Sequence, residues 1–216
     1  MFVGHYAVSM ALKSKDKKAS LGVLFLAVQF VDILFFPLAV FGVERFRIEE
    51  NYTAASDLVL EYMPFTHSLA AALVWGLIAF VVFRLYAGGR RLPAVMAVAV
   101  ASHWFLDLIV HTPDLPLLFD DGPKVGFGLW NYPAITFVLE SVLLVIGLSM
   151  YMRATHARTR IGQYGMPALV VALVVINAIN LFGAPPDETI RALAASALML
   201  YFAIATLAFW LDRHRG

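Results

Sequence analysis

Six long apolar runs alternate with short polar connections along this chain: Leu21 to Val43, Phe65 to Phe83, Leu92 to Val110, Phe127 to Met152, Met166 to Phe182 and Ile190 to Leu211. Most hold about 17 to 25 residues, the length that crosses a hydrocarbon core of roughly 30 Å as helix. The pattern predicts an all-α, polytopic membrane bundle with six full transmembrane helices. The longest connection, Glu44 to Pro64, leaves no room for a soluble domain, so residues 1–216 read as one transmembrane domain. The first run lacks the n-region and cleavage pattern of a signal peptide, and five further runs follow it. Met1 to Leu12 is apolar but too short to cross. Two readings fit it: an anchor lying in the membrane interface, or a partial helix that descends into the bundle and emerges at Lys13.

Composition supports the membrane reading. The chain is 61% hydrophobic and 14% charged, against roughly 25% charged in soluble domains, and its mean hydropathy is +0.79. It has no cysteine, which excludes disulfides and leaves only nitrogen and oxygen donors for any metal. A net charge of +1 says little, but its distribution says more. Alternate connections hold Lys13, Lys15, Lys17 and Lys18; Arg84, Arg90 and Arg91; Arg153, Arg158 and Arg160; and Arg213 and Arg215. The opposite set holds Glu44, Glu49, Glu50, Asp57 and Glu61; Asp114, Asp120 and Asp121; and Asp187 and Glu188. The positive-inside rule places the Lys13 to Lys18 loop and the C-terminus in the cytoplasm. Nothing in this distribution suits a nucleic-acid partner.

Polar residues inside the runs carry the candidate chemistry. His103, Asp107 and His111 are spaced four apart and share one helical stripe. A carboxylate facing hydrocarbon is costly, so the stripe faces protein, water or a metal ion. Measured at 1.5 Å per residue from the basic residue that ends each span, Asp32, His67, His103, Asp107 and Glu140 all fall about 18 to 26 Å away. His5 reaches this slab only if the N-terminal segment tilts inward. No lysine or arginine lies at that depth, and a divalent ion such as zinc would supply the missing positive charge. Asp32, His67, His103 and Asp107 form one candidate ligand set, and His5 and His111 are candidates for a second ion. The stripe of residues 1–120 thus reads as the metal-site half and residues 127–211 as scaffold, with Glu140 near the site.

Plainer roles remain open for several of these residues. His67 could belong to the polar start of a helix, with Thr66 as its N-cap after Pro64. Glu140 could pair with a tyrosine or tryptophan. Asp114 reads either as an acceptor that fixes a ligand imidazole or as an ordinary acidic loop residue. Asn177 and Asn180 could glue scaffold helices together. Arginines that could clamp a phosphate are few on the acidic side: Arg45, Arg47 and Arg191.

In their order along the chain, Gly4-His5, Asp32, Thr66-His67-Ser68 and Ser102-His103 followed by Asp107 resemble the bacterial membrane-bound metal-dependent hydrolases. That family is distantly similar to zinc-dependent phospholipase C and related nucleases. The resemblance covers roughly residues 1–120. It implies that Asp32, His67, His103 and Asp107 hold one zinc, that Asp107 bridges to a metal held by His5, and that His111 serves another metal. His111 follows Asp107 more closely than the soluble pattern expects, and Glu140 has no histidine four residues before it. One or two ions are therefore the expectation.

The resemblance implies a hydrolase of the bacterial inner membrane whose site opens toward the outer face. Its substrate would be a phosphate or other ester carried by a lipid. A metal-activated water would attack, and Glu140 or Asp114 would transfer a proton. Two other classes remain at this point: a divalent-cation or proton-coupled transporter, and a non-catalytic membrane protein stapled by a structural metal. The oligomeric state is not legible.

Overall fold

A computed structural model of the chain describes residues 1–87, 89–119, 122–183 and 189–216. Asp120, Asp121, Asp187 and Glu188, used above in the charge argument, lie outside the described residues. Eight α-helices dominate: α1 (His5–Lys15), α2 (Leu21–Val28), α3 (Phe30–Val40), α4 (Leu69–Tyr86), α5 (Arg91–Val110), α6 (Pro133–Ala154), α7 (Arg160–Phe182) and α8 (Ile190–Asp212). Five of them, α4 to α8, are long and apolar enough to cross a membrane, and α2 with α3 makes a sixth if the bent pair is one span.

Local chemistry sets the helix starts. The side chains of Ser20, Ser68, Thr159 and Thr189 each accept a hydrogen bond from a backbone N–H in the first turn of α2, α4, α7 and α8, the usual N-cap arrangement. Pro133 opens α6, where a missing N–H costs nothing. The expected cap at Thr66 is not realised: Ser68 caps α4, accepting from Ala71 N at 3.0 Å. Helix α7 starts at Arg160, ahead of the expected Met166, because Thr159 caps a first turn that is too polar to count as an apolar run.

The larger departure is in Leu21 to Val43, expected as one span. It breaks at Gln29, and the two pieces meet at a bend of 49°. No glycine or proline sits at the break. Instead groups at the break are taken up by other segments: the Val28 carbonyl accepts from a ring nitrogen of His103, and the Gln29 side chain donates through Nε2 to Phe2 O at 3.2 Å. A side chain that captures a carbonyl from the helical ladder is a sufficient cause of a kink.

At its far end α3 closes in a Schellman turn. Gly42, in the left-handed region at φ +74°, donates to Ala39 O, and Val43 N donates to Leu38 O. That turn hands the chain to Glu44 and to an antiparallel hairpin, β1 (Arg45–Ile48) with β2 (Leu58–Tyr62), which occupies the longest connection of a chain expected to be all-α. A second short ribbon pairs β3 (Leu115–Pro116) with β4 (Lys124–Val125).

Two apolar clusters fill the interior. The larger joins α1, α2 and α5 to α8 through residues such as Tyr6, Met10, Phe25, Met96, Leu144 and Leu173. The smaller, with Phe35, Phe36, Phe46, Met63, Trp104 and Tyr201, packs around the other end. Helix α1 lies against α6 at backbone distance: a Cβ on Gly147 would fall 2.6 Å from Ala7 O, so glycine is required there. Outward faces such as Leu73, Leu77, Val81 and Leu85 of α4 are exposed, as hydrocarbon-facing residues should be.

Candidate metal centre

Helix α5 supplies the frame. His103 and Asp107 lie one turn apart on its buried face, and His111 is its C-cap residue. The break at Gln29 starts α3 afresh, so Asp32 falls in the first turn of a helix whose N-terminal dipole favours a carboxylate. His67 comes just before α4, and His5 is the first residue of α1.

All six sequence-derived metal candidates meet. His103 Nε2 lies 2.9 Å from Asp107 Oδ2 and 3.4 Å from Asp32 Oδ1. His67 Nε2 lies 3.1 Å from Asp32 Oδ1 and 3.9 Å from Asp107 Oδ2. His111 Nε2 is 3.6 Å from Asp107 Oδ2, and His5 Nε2 is 3.2 Å from Asp107 Oδ1. The Met1 amino group also contacts Asp107. The side chain of Asp32 is 15% exposed, while those of the other five are at most 4% exposed. Access to the centre is therefore on the Asp32 side.

The opposite ring nitrogens decide what these distances mean. His103 Nδ1 is 2.6 Å from the Val28 carbonyl, which can only accept, so Nδ1 carries the hydrogen. His111 Nδ1 donates to Asp114 Oδ1 at 2.9 Å. His67 Nδ1 is 2.8 Å from Thr66 Oγ1, and that hydroxyl spends its own hydrogen on Glu44 Oε2 at 2.7 Å, so it accepts from the ring.

Each of the three imidazoles, when neutral, thus presents an Nε2 lone pair toward carboxylate oxygens. Lone pairs facing lone pairs repel unless a cation sits between them. His103 Nε2 illustrates this: despite its 2.9 Å approach to Asp107 it has no aligned hydrogen-bond partner. Two overlapping groups, His5, His103 and Asp107, and Asp32, His67 and His103, have ligand atoms all within 4.8 Å of one another. The donor set fits a divalent ion that takes nitrogen and oxygen.

Outer contacts hold the ligands in place. Glu44 is fully buried and accepts from Phe65 N at 2.9 Å, Thr66 N at 3.1 Å and Thr66 Oγ1. Burial pushes its carboxyl above the ordinary value, and the Thr66 hydroxyl, nearby His67 and the two backbone donors pull it back. Tyr201 donates to Asp32 Oδ2 at 3.1 Å, and Trp130 lies 4.2 Å from the His111 ring. Phe127 N and Gly128 N cap the carbonyls of Leu108 and His111. Gly126 makes that approach possible, because a Cβ there would strike the backbone of His111 and Thr112.

The two residues expected to move protons are placed differently. Asp114 has both oxygens engaged, with His111 and with Thr112 Oγ1 at 2.9 Å, and Thr112 in turn meets Tyr52 OH. Glu140 accepts from Gly4 N at 2.8 Å and Phe2 N at 3.3 Å rather than from a tyrosine or tryptophan. It anchors the segment that brings in His5. Arg47 is paired with Glu49 and Glu61, Arg45 lies over Tyr62, and Arg191 is exposed. Asn177 is buried with neither amide atom hydrogen-bonded, and Asn180 is exposed, so neither acts as the expected glue.

Glu44, Thr66 in its actual role, the Val28 carbonyl, Tyr201, Trp130 and Gly126 escaped the sequence reading. Only Glu44 left a signal, as a carboxylate at the immediate end of an apolar run. No family model, no curated protein and no solved structure matches this chain, so the geometry carries the functional argument alone.

Proposed function

We propose that the chain is a metal-dependent hydrolase of the bacterial inner membrane, acting on a phosphate or other ester of a lipid or lipid-linked molecule. The observation that carries this reading is the set of three imidazoles, each pinned through Nδ1, whose Nε2 lone pairs converge on Asp32 and Asp107. Asp32, His67, His103 and Asp107 would hold the first ion, with His111 at the rim and His5 on the far oxygen of Asp107. A divalent ion such as zinc, when bound, supplies a Lewis acid and a water whose pKa falls toward neutrality.

The chain's own residues do the rest. Asp32 is the ligand open to an incoming ester, and Tyr201 holds its second oxygen. Asp114, with both oxygens engaged, and Glu140, whose Oε2 accepts from Phe2 N and Gly4 N, are positioning residues. In this reading α1 is a partial helix inside the bundle, with Tyr6 and Met10 in the core. The acidic, hairpin-bearing end faces outward, and the lysine- and arginine-rich end faces the cytoplasm. A transport path is disfavoured by the apolar packing of Leu24, Phe25, Met96, Val100, Leu144 and Leu173 between the centre and the basic end.

Elemental analysis of protein purified without chelator tests the first half of the reading, with Asp107→Ala as control. The expected result is a stoichiometric transition metal in the wild type that the variant lacks. A wild type without metal overturns the proposal. Hydrolysis of phosphomonoester, phosphodiester and carboxylic-ester lipids in mixed micelles tests the second half. A metal-loaded protein inert toward all three classes leaves the metal as a staple of the bundle.

A further inference from the structure

The basic end of the bundle holds the other concentration of buried charge. Arg215 is 6% exposed. Its Nε donates to Thr155 Oγ1 at 2.9 Å, its Nη2 to Thr155 O at 2.9 Å and Met152 O at 3.4 Å, and its Nη1 to Gly162 O, while the guanidinium lies over the Tyr151 ring. Every one of these partners is neutral, and among the described residues no carboxylate pairs with it. Asp212 is committed elsewhere: it takes Lys13 Nζ at 2.8 Å, Tyr151 OH at 2.9 Å and Leu21 N at 3.3 Å. A buried cation without a counter-charge is costly.

Beside Arg215 lies a cavity of about 230 Å³, lined by Lys13, Lys17, Thr155, Arg158, Asp212, Arg215 and Gly216. Four basic side chains meet two carboxylates there, Asp212, already paired with Lys13, and that of Gly216, so positive charge is still in excess. Lys17 and Arg158 are exposed, the Arg158 guanidinium lying against Gly216 at the cavity wall. One turn along α8, a groove of about 200 Å³ runs between α2 and α8, lined by Gly22, Val23, Leu26, Phe202, Ala205 and Phe209. Phe209 and Asp212 are three apart and share a face of α8. Arg213 lies over Phe209 at 5.7 Å, marking the polar end of the groove. Gly22 keeps α2 close to α8, since a Cβ there would fall 2.5 Å from Phe209 Cβ.

We propose that pocket and groove together bind one anionic phospholipid, with its phosphate among Lys17, Arg158 and Arg215 and an acyl chain along the α2/α8 groove. The groove walls Val23, Phe202 and Phe209 are exposed on a hydrocarbon-facing surface, which suits an acyl chain and not a soluble phosphate. The unbalanced positive charge selects an anionic headgroup over a zwitterionic one, whose ammonium would add to the excess. The site stands at the opposite end of α5 from the metal candidates and is independent of them.

The test is native mass spectrometry of the delipidated full chain titrated with phosphatidylglycerol, phosphatidylcholine or inorganic phosphate. One phosphatidylglycerol should bind per chain, roughly tenfold more tightly than phosphatidylcholine. The double variant K17Q/R158Q, at exposed positions, should weaken it by roughly tenfold or more, given the usual worth of a basic side chain beside an anionic headgroup. Thr206→Trp, which fills the groove from its exposed wall, should weaken phosphatidylglycerol to a similar extent. Equal retention of the two lipids, or indifference to K17Q/R158Q, overturns the proposal. Inorganic phosphate binding as tightly as phosphatidylglycerol, with Thr206→Trp silent, overturns the lipid and leaves a soluble-phosphate site.

Discussion

His103 and His5 lie face to face, their rings 3.9 Å apart and within 4° of parallel, yet the structure treats them differently. His103 sits in the middle of a long helix, and its Nδ1 is held by a carbonyl that a broken helix has released. His5 opens a short helix on a segment held by Glu140, and its buried Nδ1 has no partner. Both touch Asp107, but on different oxygens. A fixed tautomer raises ligand basicity and saves the ordering cost of binding. In the proposed reading the pinned group of His67, His103 and His111 would therefore hold a primary ion together with Asp107. His5, which approaches Oδ1 of Asp107, would serve a weaker position.

The largest expected effect falls on the residue both regions share. Asp107→Asn removes a charge that all four histidines approach, and should abolish metal retention through desalting, as measured by elemental analysis. An Asp107→Asn protein that keeps a full complement of metal would end the comparison, because neither region would then depend on the carboxylate.

Next come the contacts that pin His67. Thr66→Val removes the acceptor for Nδ1–H and should weaken metal binding by about ten- to hundredfold in a chelator competition, with Thr66→Ser restoring it. Glu44→Gln should act in the same direction for a different reason. Its amide oxygen can still accept from Phe65 N and Thr66 N, but its nitrogen would donate to Thr66 Oγ1. The hydroxyl would then donate to His67 Nδ1 and move the ring hydrogen to Nε2, where the ion should bind. Equal affinity in wild type, Thr66→Val and Glu44→Gln would show that the pinning has no bearing on the centre.

A smaller effect is expected at the rim. Gly126→Ala places a methyl against the backbone of His111 and Thr112 and should destabilise the fold by about 1–3 kcal/mol, read as a lowered Tm. It should loosen His111 while leaving His103 and His67 bound. Metal affinity should fall by only a few-fold, well short of the Thr66→Val effect expected from losing a ligand's orienting partner.

The ligands were legible in the sequence and their supports were not, for a physical reason. Asp32, His67, His103 and Asp107 declare themselves because ionisable groups within apolar runs have few tolerable environments, and helical rise converts position into depth. The supports do not follow a helical period. Glu44 reaches Thr66 across a hairpin, and the Val28 carbonyl is a backbone atom that any side chain at that position would carry. The break at Gln29 is equally hidden: no glycine or proline announces it, and its cause, His103, lies three helices further along the chain, in α5. Gly126 could be seen as a loop glycine, but not as the residue that lets the loop close over His111.

His5→Ala should have a smaller effect still, and it separates the two regions most sharply. If the pinned histidines hold the primary ion without help, this variant keeps that ion with affinity reduced by no more than about threefold, less than the ten- to hundredfold expected for losing even an orienting partner. Any second, weaker ion should disappear, so the wild type should lose stoichiometry in two steps under chelator and the variant in one. Glu140→Gln should stay closer to the wild type than His5→Ala does, since a glutamine oxygen can still accept from Gly4 N and keep His5 in its place. A His5→Ala protein as metal-poor as His103→Ala would mean that the stacked pair acts as one unit. The partnerless Nδ1 of His5 would then mark a ligand ordered by the ion itself and not by the fold.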